Sequence, residues 1–190
     1  MENRKNKKGL VLLFMGIALL LVAGGWYIAN IAEDRNAGKM ASELLVKVEE
    51  QTGNDSPVIT VEGEAFCGKI IIEKLGIELP VFQDWDSGKL KEAPCRYTGS
   101  VQTDDMIIAA HNYESHFGNI HLLQLNDEIV FIDGTGSEYR YSVRHITTLD
   151  GTAVSDMQSG EWDFTIFTCT KGGKQRVTVR CDRIDLSLGL

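Results

Sequence analysis

Hydrophobic and polar positions follow two different patterns along the chain. From Gly9 to Ala32 no side chain carries a charge, and Leu10 to Ile28 (LVLLFMGIALLLVAGGWYI) is a nearly unbroken apolar run. Its 19 residues approach the roughly 20 that a helix needs to cross a hydrocarbon layer. From Cys67 onward the apolar runs are short, rich in β-branched and aromatic residues, and separated by turn formers. GKIIIEKL, IELPVF, DMIIAAH, DEIVFIDG, SEYRYSVRHITTL, DFTIFTC and QRVTVRC have the composition of strands. Alternation is clearest at Tyr139, Tyr141 and Val143, and again at Val177, Val179 and Cys181. FGNIHLLQL (Phe117 to Leu125) predicts a short helix or turn. Seven or more strands with little helix predict a mainly β fold, a barrel or sandwich.

Between the two patterns, MASELLVKVEEQ predicts a short amphipathic helix with Met40, Leu44, Leu45 and Val48 on one stripe. TGNDSP then breaks it. The expected organisation is a basic tail over residues 1–8, a membrane anchor over 9–32, a stalk over 33–65 and a folded domain over 66–190.

Charge orients this arrangement. Arg4, Lys5, Lys7 and Lys8 precede the apolar run, and Glu33, Asp34 and Arg35 follow it, which places the N-terminus in the cytoplasm. Trp26 and Tyr27 sit near its far end, where amphipathic rings favour the interface. A cleaved signal peptide is the alternative, but its apolar core is normally only about 7 to 15 residues. Either reading exports the rest of the chain. Residues 30–190 hold 15 basic against 26 acidic side chains, an acidic body that disfavours nucleic-acid backbones.

Four cysteines, Cys67, Cys95, Cys169 and Cys181, form no C-x-x-C pair, so zinc-ribbon and redox motifs lack support. In an exported domain two disulfides are the plain alternative. Cys169 differs by context: it ends an apolar strand and opens into TKGGK, where a rigid scaffold can present a reactive group. A nucleophilic cysteine works as its thiolate and needs a base or positive charge nearby. His111 follows directly on the apolar run Met106 to Ala110 and is the favoured partner. His116 and His121 are expected on a solvated face, and His145 inside a strand. Acyl transfer also needs a positive group for the developing oxyanion. Arg176 opens the strand after the Cys169 turn and would lie opposite or diagonal to the cysteine if a tight turn makes the two strands antiparallel neighbours. Arg180 shares its parity and is the rival.

These segments resemble the sortase family. TIFTC (Thr165 to Cys169) resembles that family's T-L-x-T-C signature, with Ile166 in the leucine place. QRVTV resembles its arginine-bearing strand after the cysteine. MIIAAHNYESHFGNIHLLQLNDEIVF resembles its histidine region, with Ala110 where glycine is common. The similarity runs from about Cys67 to Asp185, in the order His, Cys, Arg. It implies a closed eight-stranded β-barrel behind an N-terminal transmembrane helix, and a thiol transpeptidase with Cys169, His111 and Arg176 as catalytic residues. Thr168 matches a residue lining the substrate groove. The implied partners are exported proteins with an LPXTG-like sorting signal and a cell-wall or pilin amine acceptor, with the catalytic domain outside the membrane. No cofactor and no metal is expected, since no acidic cluster suits calcium. The segment after Leu149 is too short for the helical insertion of the iron-associated class, and QDWD (Gln83 to Asp86) does not match the D-P-F or D-P-W lid of pilus enzymes. The subtype stays open.

Two other enzyme classes and one non-enzymatic reading fit the sequence less well. A papain-like protease needs its cysteine before its histidine. An L,D-transpeptidase shows glycine before its cysteine and arginine two residues after, where this chain has Thr168 and Lys171. A membrane-anchored binding domain would have Cys169 in a disulfide.

Overall fold

The computed structural model describes residues 2–184, with side chains from residue 9 onward. The end of the expected catalytic domain, residues 185–190, lies outside the described residues. The chain forms two compact units, residues 1–36 and 37–190. One helix, α1 (Glu2–Glu49), runs through the boundary. In the first unit the side chains of residues 9–30 are all exposed. A helix apolar on every side and buried nowhere is suited to lipid rather than water, and it is long and apolar enough to cross a membrane.

The second unit is built from β1 (Ile59–Val61), β2 (Glu64–Ile72), β3 (Ile77–Phe82), β4 (Cys95–Thr98), β5 (Met106–Ala110), β6 (Glu128–Asp133), β7 (Glu138–Asp150), β8 (Phe164–Cys169) and β9 (Gln175–Arg183), with one short helix, α2 (Val154–Met157). Strand order is β1-β2-β3-β4-β5-β8-β9-β7-β6, and β6 pairs back onto β2. Eight strands therefore close into a barrel, with β1 added along the start of β2. Two pairings are parallel, β3 with β4 and β5 with β8, and the rest are antiparallel.

Closure depends on Gly68. It pairs with Asp133 across the β2–β6 seam, with φ of 143° and a bulge beside it. A Cβ there would stand 2.0 Å from the Ile132 carbonyl oxygen, so only glycine lets the two strands meet. The barrel interior is filled by alternate residues of each strand, among them Ile70, Ile108, Ile129, Phe131, Phe164, Ile166 and Val179. Tyr141 stacks on Phe164 with ring centres 4.3 Å apart, and its buried hydroxyl has no hydrogen-bond partner among the described residues.

Residues 33–65 differ from the stalk expected of them. Ala37, Ala41 and Val48 lie on one face of α1 and are buried within the second unit. Val48 packs with Ile59, Val61, Phe66 and Phe82, and Gly38 passes so close to Ser115 that a Cβ would sit 2.9 Å from the serine's. Met40, placed on the buried stripe by its apolarity, is exposed instead. Ala37 and Ala41 bury little area each, but their size lets the helix backbone approach the barrel, which a stripe of larger residues would prevent.

Candidate active site

Strand β8 lies between β5 and β9, and its register fixes which side chains share a face. Phe164, Ile166 and Thr168 point into the barrel, while Thr165, Phe167 and Cys169 point outward. On β9, Arg176 is the cross-strand partner of Cys169, Thr178 of Phe167, and Arg180 of Thr165. On β5, Ile107 pairs with Thr165 and Ala109 with Phe167, and the last pair is Ala110 with Thr168. One residue further, His111 and Cys169 stand at the ends of neighbouring parallel strands, which run about 4.8 Å apart. By parity both belong to the outer face. Thiol, imidazole and guanidinium are thus on three adjacent strands at one end of one face.

The local chain explains each position. Lys171 to Lys174 carry the hairpin turn after Cys169, with Gly173 at a φ of 70°. Arg176 Nη1 donates to the carbonyls of Gly173 (2.9 Å) and Gln175 (3.1 Å), which turns the guanidinium toward that loop. The chain leaves β5 through a tight loop: the Gly118 N–H bonds the Tyr113 carbonyl at 2.8 Å, and the Phe117 N–H bonds that of His111 at 3.3 Å. Tyr113 folds back over the His111 ring, stacked with centres 3.8 Å apart at 21°. This restricts the imidazole to a narrow range of orientations. An aromatic two residues after a strand-end histidine is a signal that the strand pattern alone did not use.

The four cysteines are all free thiols, and they are not alike. Cys67, Cys95 and Cys181 are buried. Burial pushes the Cys67 thiol up to about 12 and that of Cys95 up to about 11, and it raises Cys181 as well. The Cys67 thiol faces the carbonyls of Val81 and Phe82. Such groups stay protonated and inert. Cys169 alone is partly open to solvent.

Thr168, expected beside a bound substrate, is 2% exposed and faces the interior. Its hydroxyl donates to the Ala110 carbonyl at 2.9 Å, so it ties the cysteine strand to the residue before His111 rather than presenting itself to a ligand. His116, expected on a solvated face, is fully buried, with its ring edge-on to Tyr113 at 5.5 Å. His121 is exposed and His145 lies within β7, as expected. Below the thiol, Ile107, Ala109, Met157 and Phe167 form an apolar floor. Tyr97 meets Phe167 edge-on at 5.4 Å, and the half-exposed Trp85 meets Tyr97 at 6.2 Å.

The Sortase domain profile matches residues 70–184, which is more than half of the chain and includes all of this face. The chain belongs to the sortase family. Solved structures agree on the fold. A Sortase D5 transpeptidase of Clostridium perfringens is 22% identical, with a TM-score of 0.62 over 77% of this chain and 99% of that one. Sortase C1 of Streptococcus agalactiae is 21% identical, with a TM-score of 0.57 over 83% and 89%. Sortase C from Clostridium perfringens SM101 is 18% identical, with a TM-score of 0.55 over 82% and 91%. No curated protein matches. The family and barrel are those of cysteine transpeptidases, and the subclass stays unassigned.

Proposed function

We propose that this sortase cleaves an LPXTG-like sorting signal through a thioacyl intermediate on Cys169 and transfers the acyl protein to an amine. The observation that carries this reading is the neighbourhood of Cys169: the one solvent-open thiol of four, directly across from Arg176 and beside the strand end bearing His111. The thiolate attacks the carbonyl carbon before the scissile bond and forms a C–S bond. Negative charge collects on the carbonyl oxygen, where the Nε and Nη2 hydrogens of Arg176 can donate. The C–N bond breaks as His111, in its imidazolium form, gives its proton to the departing amine. A second amine then attacks the thioester, loses a proton to His111, and releases the thiolate. Thr168 acts as a positioning residue by holding β8 to β5.

The apolar helix before the barrel fits a single-pass anchor. By the positive-inside rule the basic tail is cytoplasmic and the barrel extracellular. That side holds exported proteins with sorting signals and the cell-wall or pilin amines expected as acceptors. A disulfide-bonded binding domain is disfavoured by the free thiol at Cys169.

The test uses the full chain in detergent micelles with a sorting-signal peptide. Mass spectrometry should find the acyl fragment on Cys169, discharged when an amine acceptor is added. Acylation elsewhere, or none with any peptide of a motif panel, rejects the assignment.

A further inference from the structure

The outer face does not end at the thiol. Near the other end of β8 it opens into a cavity of about 210 Å³ whose walls include Ile107, Met157, Trp162, Thr165 and Arg180. Arg180 is 4% exposed. Its Nη1 donates to the Met157 carbonyl (2.9 Å) and the Thr165 hydroxyl (3.2 Å), and its Nη2 to the Asp156 carbonyl. All three acceptors are neutral.

The remaining arginines of the second unit show how unusual this is. Arg96 reaches Asp84, Arg140 reaches Glu128 and Glu138, Arg144 reaches Asp182, and Arg183 reaches Asp104. Among the described arginines of the second unit, Arg176 and Arg180 alone have no carboxylate within ion-pair distance. They stand four residues apart on the same face of β9. A partly exposed arginine such as Arg176 loses less by lacking an acid, whereas a fully buried guanidinium without a counter-ion is costly. Burial pulls the Arg180 pKa below its ordinary value, with only partial offset from the more distant Glu161 and Asp156. Asp105, which also lines the cavity, accepts from the Ser100 N–H and the Thr103 hydroxyl.

We propose that this cavity binds an acidic side chain of the acyl substrate, with Arg180 as its counter-ion. This rests on the transpeptidase reading above and names a specificity determinant for it. Thr165 lies four residues from Cys169 along β8, or about 13 Å, which an extended peptide covers in about four residues. The acyl half must stay bound while the amine half leaves, so a built cavity serves the acyl half. The acid therefore falls about four residues upstream of the residue whose carbonyl is attacked, immediately before an LPXTG pentapeptide. The apolar walls at Ile107 and Met157 take the stem of that side chain, and its carboxylate meets the guanidinium.

The experiment compares two peptides in which LPATG is preceded by glutamate or by its neutral isostere glutamine. Binding is measured by calorimetry to the full chain carrying Cys169→Ala, so turnover is not needed. The glutamate peptide should bind roughly tenfold tighter or better, the increment of a charge-assisted hydrogen bond. That ratio should fall toward one when Arg180→Gln is added, and when the glutamate is moved two residues toward the N-terminus. Because Arg180 also holds the α2 loop, the ratio in the Cys169→Ala protein is decisive by itself. Equal binding of both peptides, binding of neither, or a preference that survives Arg180→Gln overturns the proposal. A preference for glutamate with no acylation of the unsubstituted enzyme would sink the transpeptidase reading and leave the acid site standing.

Discussion

The two faces of β8 are made by one hexapeptide and do opposite work. Inward, Phe164, Ile166 and Thr168 are 0 to 2% exposed and join the barrel interior. Outward, Thr165 borders the Arg180 cavity, Phe167 packs against Ile107, Ala109 and Met157, and Cys169 is partly open to solvent. Every second residue therefore packs into the barrel interior, and of the other three only Cys169 is partly open to solvent. The same split separates the cysteines: Cys181 and Cys169 are on the same hairpin, but Cys181 belongs to the interior and its thiol is held protonated by burial.

Substitutions across this division should separate activity from stability. The largest effect is expected at Cys169→Ala, which should lower acylation by at least about 10³-fold with little change in melting temperature. Cys181→Ala should do the reverse, lowering stability by about 2 kcal/mol in denaturant titrations while the folded fraction stays active. Arg176→Ala should cost about 10² to 10³ in kcat, with a smaller change in KM, as for loss of an oxyanion donor. A rise in KM alone would make Arg176 a binding residue and break the proposed division of labour.

Alkaline pH should strain the interior before it harms the outer face. The Cys67 thiol ionises near 9.0 in the unfolded chain but only near 12 in the fold. Its contribution is complete below about pH 9 and is lost as pH rises toward 12, by about 1.4 kcal/mol per pH unit. Cys67→Ala should flatten the alkaline limb of a stability-against-pH curve by that slope. The smallest effect is expected at Thr168→Val, which removes the bond to the Ala110 carbonyl. About 1 kcal/mol of stability and a few-fold in kcat should be lost with KM unchanged. A raised KM would return Thr168 to the substrate.

Much of the outer face was legible in the chain because strand parity is a property of sequence. Once DFTIFTC and QRVTVRC are strands joined by a short turn, Cys169 and Arg176 must be neighbours. His111 was legible as a strand end, but its place beside Cys169 depends on β5 and β8 pairing in parallel, a long-range fact with no local signature. The start of the second unit was obscured for different reasons. β1 has only three residues, and α1 meets the barrel through Ala37 and Ala41, whose composition resembles a linker. The burial of His116 and Arg180 was hidden too, since polar residues seldom sit in such places without a specific reason.

The parallel pairing of β5 and β8 has one more consequence. Two parallel strands cannot be joined by a tight turn, so the chain must travel through β6 and β7 before it returns to lay the cysteine beside the histidine. No fragment ending before β8 contains the pair, and no local collapse can assemble it. An emerging polypeptide thus carries Cys169 apart from His111 until β8 has paired with β5.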